Sequence, residues 1–234
     1  IKVCMKNLNL DVSKGRLPTP KIIRSILSFS INSTRKIKET LDEFYPYFMP
    51  FSDVINRIAR EYEKRKKLSN VMDYDDLLTK WLWLLQNVPE AKDRFSKQFR
   101  YILVDEYQDT NHPQAAIIKE LSSFHRNVLV VGDDAQAIYS FRGADVANIL
   151  NFPNHYPEAK IFKLENNYRS TPEILELANN SISHNVNQFD KHLRTIKESV
   201  EKPALIEVSD LSAQAAFIIQ RVLESDGRLT LLDQ

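Results

Sequence analysis

The chain has 234 residues, 43% hydrophobic and 27% charged, an ordinary globular composition with enough length for one large or two small cores. Its 32 Lys and Arg against 31 Asp and Glu leave a formal charge of +1, so no global field announces nucleic acid, although a local basic groove stays open. One cysteine, Cys4, excludes an intramolecular disulfide, and the five histidines (His112, His125, His155, His184 and His192) lack any Cys/His metal spacing. The longest strongly apolar cluster, Trp81 to Leu85, is far short of the ~20 residues that span a bilayer, and no signal peptide opens the sequence. A soluble, cytoplasmic protein with no membrane partner is the expectation.

The first twenty residues are mixed and end in Leu17-Pro18-Thr19-Pro20, a loop or boundary. From Lys21 to about Phe44, Ile22, Ile23, Ile26, Leu27 and Phe29, then Ile31, Ile37 and Leu41, recur at helical spacing broken by Ser and Asn, which predicts two helices. Pro46 and Pro50 close this section. Val54, Ile55, Ile58, Ala59 and Tyr62 then mark one face of a longer helix whose other face carries Arg57, Arg60, Glu61, Lys64 and Arg65. The run Lys64-Arg65-Lys66-Lys67 reads as a solvated helix end suited to the helix dipole, with phosphate contact as the alternative. Met72 to Leu78 opens another helix, with Asp73 as its cap, acids in the first turn, and Trp81, Leu82, Leu84 and Leu85 as the apolar side. Capping and packing account for these aspartates without any chemistry.

Phe95 to Phe99 leads into Tyr101-Ile102-Leu103-Val104-Asp105-Glu106-Tyr107-Gln108-Asp109, an apolar run ending abruptly in acids. Such a run predicts a buried strand of a parallel sheet. Asn111-His112-Pro113 opens a helix with Pro in its first turn, running to Leu121, and Val128 to Val131 is a second buried strand ending in Gly132-Asp133-Asp134. Strand, helix and strand make a βαβ unit, so both strand ends fall on the sheet edge where open α/β folds bind ligands. Beyond it the pattern predicts a short helix at Ala144 to Leu150 and a third strand at Lys160 to Leu164 running into Tyr168-Arg169. A helix capped by Thr171 with Pro172 first, a fourth strand at Ala204 to Val208 and a last amphipathic helix at Ala213 to Leu223 complete the pattern. The start on Ile1 and the end on Leu231-Leu232-Asp233-Gln234 fit a segment of something longer.

Three predicted sheet-edge segments therefore converge: Asp105-Glu106, Gly132-Asp133-Asp134-Ala135-Gln136, and Tyr168-Arg169. Successive strand residues point to opposite sides, so one carboxylate can hold a divalent cation while its neighbour orients a water. With an amide to sense a phosphate oxygen and a guanidinium for developing negative charge, these are the parts that phosphoryl transfer to water requires. For an isolated Asp-Glu pair the plain alternative is a strand end followed by a solvated acidic turn. Tyr139, Phe141 and Arg142 interleave aromatics with a cation, as a stacking platform for single-stranded bases does, with core packing as the other reading of the rings. A two-metal nuclease using Asp105, Glu106, Asp133 and Asp134 is a further class, in which Gln136 and Arg169 have no job. None of the four glycines is followed by Lys-Ser or Lys-Thr, so these residues contain no P-loop.

The strings Val104-Asp105-Glu106-Tyr107-Gln108-Asp109-Thr110-Asn111, Val131-Gly132-Asp133-Asp134-Ala135-Gln136-Ala137-Ile138-Tyr139-Ser140-Phe141-Arg142-Gly143-Ala144 and Leu164-Glu165-Asn166-Asn167-Tyr168-Arg169-Ser170-Thr171 closely resemble motifs II, III and IV of the UvrD/Rep/PcrA helicases of superfamily 1. The resemblance runs from Met72 to about Leu223. It implies an α/β fold: a partial RecA-like P-loop NTPase domain, with a parallel sheet and flanking helices, plus a helical insertion. Its domains would be a 1B-like insertion at 1–70, the second part of the first RecA-like domain at 71–158, and the truncated start of the second at 159–234. It further implies ATP and Mg²⁺ as cofactors, with Asp105 holding the metal, Glu106 positioning or deprotonating the attacking water, Gln136 contacting the γ-phosphate, Arg169 acting as a finger on it, and Tyr168 stacking on adenine. Tyr139, Phe141 and Arg142 match positions that contact single-stranded DNA, where the family often has Trp in place of Phe141. The implied function is ATP-driven 3′ to 5′ translocation on single-stranded DNA and duplex unwinding in repair or replication. Implied partners are single strands, duplex junctions and repair or replication proteins. The family's glutamine motif, P-loop, and motifs Ia, V and VI are missing from these residues. The isolated chain is therefore expected to be inactive, and a non-catalytic module that binds single-stranded DNA or docks a partner is the alternative.

Overall fold

Helices begin where the chain supplies caps. In the computed structural model, which describes residues 1–10 and 17–225, Thr19 accepts the Ile22 N–H at 3.4 Å and opens α2 (Pro20–Asn32), after a first helix α1 (Lys2–Asn7). Glu39 accepts the Lys36 N–H at 3.0 Å at the start of α3 (Ile37–Phe44), so the two helices expected between Lys21 and Phe44 are present. A 3₁₀ turn carrying Pro46 and Pro50 leads into α4 (Ser52–Leu68). Cys4, Met5, Ile23, Ile26, Leu27, Leu41, Ile55 and Ile58 form one buried cluster among these four helices. Each such fully buried aliphatic side chain contributes about 1.5–3 kcal/mol relative to exposure.

Asp73 caps α5 (Tyr74–Asn87), accepting the Asp76 N–H at 2.8 Å while Asp76 accepts the Asp73 N–H at 3.0 Å, a reciprocal capping box. The expectation that Lys64 to Lys67 form a solvated helix end fails at Lys66, which is buried with its Nζ 2.7 Å from Asp76 and 3.1 Å from Asp73. Adjacent helical residues point in different directions, so one of the four basic side chains turns inward onto α5. Pro89 then opens α6 (Pro89–Gln98).

The expected βαβ unit follows as β1 (Ile102–Val104), α7 (His112–Leu121) and β2 (Val128–Val130), the strands pairing in parallel with Ile102 opposite Val128 and Val104 opposite Val130. The strands are not buried on both faces as expected. Val104, Val128 and Val130 pack against Tyr107, Ile149 and Phe152, whereas Leu103 and Leu129 are 73% and 53% exposed. Alternate residues face opposite ways, and the described elements cover only one side of the pair. Two short helices, α8 (Ala147–Leu150) and α9 (Phe152–His155), pack on the covered side.

The chain divides into two compact units, Ile1–Phe162 with Asn185–Asp190, and Lys163–His184 with Lys191–Gln234. In the second, β3 (Asn166–Asn167) pairs in parallel with β4 (Arg194–Thr195), and α10 (Pro172–Ile182) is fastened to β4 by Asn179, which bonds both the carbonyl and the N–H of Leu193 at 2.9 and 3.1 Å. Asp210 accepts the Ala213 N–H at 2.9 Å at the start of α11 (Leu211–Ser225). The strands expected at Lys160 to Leu164 and Ala204 to Val208 are instead irregular chain that joins no sheet among the described residues, with Phe162, Leu164 and Leu205 exposed. Apolar composition suits a strand but does not supply the neighbour that makes one. Among the described residues no helix is long and apolar enough to cross a membrane. The expected end at Leu231 to Gln234 lies outside the described residues.

Candidate functional site

At the carboxyl end of β1 the chain turns sharply. Glu106 adopts a left-handed conformation, φ 50° and ψ 44°, which costs a non-glycine residue about 1 kcal/mol or more. The reversal starts a 3₁₀ turn, Tyr107–Asp109, that buries Tyr107 and Gln108 and leaves the Asp105 and Glu106 carboxylates exposed. Asp105 Oδ1 accepts the Glu106 N–H at 2.9 Å. Gln108, only 1% exposed, donates from Nε2 to Glu106 Oε2 at 2.7 Å and accepts the Asp133 N–H on Oε1 at 3.0 Å. Main-chain bonds continue the ladder past both strands: the Val131 N–H to the Val104 carbonyl at 2.8 Å, and the Tyr107 N–H to the Val131 carbonyl at 2.9 Å. Gly132 makes the close approach possible, since a Cβ there would lie 2.6 Å from Gln108 Oε1 and 2.7 Å from Ile149 Cδ1. Beneath the turn, burial pushes the Tyr107 hydroxyl up to about 12, so it remains a neutral packing group.

At the end of β2, Asp133 caps the turn Asp134–Gln136, accepting the Ala135 N–H on Oδ1 at 3.1 Å and the Gln136 side-chain amide on Oδ2 at 2.7 Å. Asp134 Oδ2 accepts the Phe189 N–H at 3.2 Å. Both aspartates are thus engaged in shaping the loop. Among the described residues no group of three or more His, Cys, Asp or Glu is placed to hold a metal ion, so the four-carboxylate nuclease cluster is not formed. Asp105, exposed at a strand end, has a carboxylate of the kind that could hold Mg²⁺ together with phosphate oxygens and waters.

Seven residues after Gly132 begins the aromatic segment. The Tyr139 and Phe141 rings lie with centroids 6.0 Å apart, and the Arg142 guanidinium sits 5.1 and 5.4 Å from them. Phe141 is 66% exposed, so its ring is surface and not core. Gly143, at φ 87°, ends the segment against α2, where a Cβ would lie 2.7 Å from Asn32 Cβ. Asn32 Oδ1 accepts from Asn111 Nδ2 at 2.8 Å and Asn32 Nδ2 donates to Asp75 at 2.9 Å, while Asn148 Nδ2 and the Asp145 N–H bond the Thr110 carbonyl at 2.9 and 3.1 Å. These bonds fasten the aromatic loop to the segment that follows Glu106. Arg24, Tyr62, Tyr74, Phe141 and Arg142 help line an open groove of about 810 Å³ in this unit.

Tyr168 and Arg169 follow β3 in the second unit, both exposed, with Asn167 Oδ1 accepting the Arg169 and Ser170 N–H groups at 2.8 and 2.7 Å and Lys197 Nζ bonding the Arg169 carbonyl at 2.7 Å. Asp105-Glu106 and Gly132 to Gln136 share the β1–β2 edge, and Tyr168-Arg169 belong to the separate β3–β4 pair of the second unit. Gln108 had no assigned role in the sequence; a buried amide two residues beyond paired acids carries no periodic signal, and only its bonds mark it.

The sequence pattern of the UvrD/REP helicase N-terminal domain matches residues 1–157, which contain the whole β1–β2 edge. The chain belongs to the UvrD/REP helicase family. The UvrD-like helicase C-terminal domain matches residues 162–231, which contain Tyr168 and Arg169. Among relatives of this family, ATP-dependent DNA helicase PcrA of Staphylococcus aureus (strain Mu50) is 35% identical over 224 residues, covering 96% of this chain and 30% of the relative. The protein of that name from Bacillus subtilis (strain 168) is 34% identical over 235 positions, covering 100% of this chain and 31% of the relative, and that of Staphylococcus epidermidis is 33% identical over 224. The chain spans about 30% of the length of these relatives.

Proposed function

We propose that this chain supplies part of the ATPase and DNA-contact machinery of an ATP-dependent DNA helicase, one that moves 3′ to 5′ on single strands and unwinds duplex in cytoplasmic repair or replication. The reading is carried by the parallel pairing of β1 with β2, which sets Asp105 and Glu106 beside Asp133 and Gln136, with Phe141 five residues further along the same loop. On this reading residues 1–70 are a 1B-like insertion, 71–158 complete the first RecA-like domain and 159–234 begin the second. The helical core around Ile23, Leu41 and Ile55 suits the first of these.

ATP with Mg²⁺ supplies a polarised γ-phosphoryl group, and Asp105 is the residue that would hold the metal. Glu106 orients water and accepts its proton, Gln136 contacts the γ-phosphate, Arg169 neutralises charge on it, and Tyr168 stacks on adenine. Tyr139, Phe141 and Arg142 receive single-stranded DNA by stacking and by phosphate contact. Since Gln136 and Phe141 share one loop, loss of the γ-phosphate reaches the base platform through a few residues of backbone.

In the complete reading frame, Glu106→Gln should lower ATP turnover stimulated by single-stranded DNA by about 10²- to 10⁴-fold while nucleotide still binds. Undiminished turnover overturns the assignment. The 234 residues alone, which contain no Gly-Lys-Ser or Gly-Lys-Thr, should show no appreciable turnover. Robust hydrolysis abolished by Glu106→Gln would contradict that. The exposed Arg142 and Phe141 favour a second reading, a non-catalytic module for single-stranded DNA or partner docking at junctions, which predicts tight binding of single strands independent of nucleotide.

A further inference from the structure

We propose that Gln108 is a positioning residue that holds the Glu106 carboxylate in its working orientation and ties it to the Asp133–Gln136 loop; this rests on the water-orienting role given to Glu106 above. Glu106 lies at the tip of a left-handed turn with its carboxylate exposed, where a free side chain would sample several rotamers. One bond removes that freedom, the 2.7 Å contact from Gln108 Nε2 to Oε2. The same amide accepts the Asp133 N–H at 3.0 Å, and Asp133 in turn holds the Gln136 side chain at 2.7 Å. Glu106, Gln108, Asp133 and Gln136 therefore form one continuous chain of hydrogen bonds across the two strand ends.

Gln108 is not needed merely to pin those ends together. The Val131 to Val104 and Tyr107 to Val131 main-chain bonds already set the register on either side of it. What the side chain adds is a donor aimed at a surface carboxylate, from a seat so tight that residue 132 must lack a Cβ. An amide suits this seat because it donates to the carboxylate and accepts from the N–H at once, which neither Glu at neutral pH nor Leu can do.

The test is ATP turnover by the complete helicase with single-stranded DNA, for Gln108→Leu, Gln108→Glu and Gly132→Ala, each also combined with Glu106→Gln. Gln108→Glu keeps the shape and sets a carboxylate against Glu106; Gly132→Ala crowds Gln108 without altering it. Each single variant should lower kcat about tenfold to a hundredfold, the scale of a misplaced catalytic group, with KM for ATP within about twofold. In the Glu106→Gln background each should lower kcat no further, because the residue they act through is already gone. A fall in KM-linked binding without loss of kcat, or a further equal loss in the Glu106→Gln background, assigns Gln108 a purely structural role and overturns the proposal. If Gln108→Leu does not fold, the near-isosteric Gln108→Glu and the neighbouring Gly132→Ala, which leaves the Gln108 side chain itself unchanged, decide by the same criteria. Loss of turnover in Glu106→Gln with none in the Gln108 and Gly132 variants overturns the positioning role alone; no loss in Glu106→Gln overturns the catalytic reading with it.

Discussion

Of the places in the first unit where a cation lies against aromatic rings, those at Lys66 and Arg142 have opposite characters. Lys66 is 7% exposed, its Nζ 4.7 Å from the Tyr62 ring and within 3.2 Å of Glu63, Asp73 and Asp76. Burial works against its charge, but the hydrogen bonds to Asp76, Asp73 and Glu63 outweigh burial and hold its pKa above the ordinary lysine value. Burial, together with the bond to Asp73, pushes the Tyr62 hydroxyl up to about 12. Arg142 lies against two rings as well, yet it is exposed and among the described residues no carboxylate pairs with it. Both help line the same groove. The number of acids around a cation, and not its rings, separates a fastening between α4 and α5 from a group left with donors for a phosphate.

That contrast can be broken at several points. The largest expected effect is on stability: Lys66→Met strands the Asp73 and Asp76 carboxylates and should cost about 3 kcal/mol in urea unfolding, with less than about 1 kcal/mol showing that the cluster fastens nothing. Next, Phe141→Ala should weaken single-stranded DNA binding by about 1–3 kcal/mol in anisotropy titrations while leaving the unfolding midpoint in place. Unchanged affinity would mean that the exposed ring is not a platform. Arg142→Gln should make the slope of log K against log salt shallower by about one, a change that Lys66→Met should not produce.

The smallest effect is on pH dependence. Burial opposes ionisation of Asp73, but the Asp76 N–H and Lys66 more than compensate, holding its carboxyl below the ordinary 3.8. Its contribution is therefore complete above 3.8 and is lost as pH falls through the folded value. The Lys66 contribution is complete below the ordinary 10.5 and is lost as pH rises through a higher folded value. Thermal melts should show a plateau between these limits, with both limbs flattened by Lys66→Met and both kept by Arg142→Gln.

Legibility in the sequence tracked the range of the forces involved. Asp73 announced its helix because a capping box closes within four residues, and β1 and β2 announced themselves because each apolar run ends in acids. The helix α1 was missed: Cys4 and Met5 are adjacent and form no stripe, and it is their burial among α2, α3 and α4 that gives the segment its place. Lys160 to Leu164 and Ala204 to Val208 have strand composition, yet among the described residues neither joins a sheet.

Taken alone, the sequence determined where the three motifs stand and which family the chain joins, because motif chemistry is written in short contiguous strings. Tertiary structure alone decided which polar groups meet. Lys66 turned inward while Lys64 and Lys67 stayed in water, Tyr168 and Arg169 took their places after β3, and Gln108 closed on Glu106 and Asp133. Hydrogen bonds and ion pairs depend on a few ångströms of placement, and residues distant along the chain acquire that placement only when the core packs.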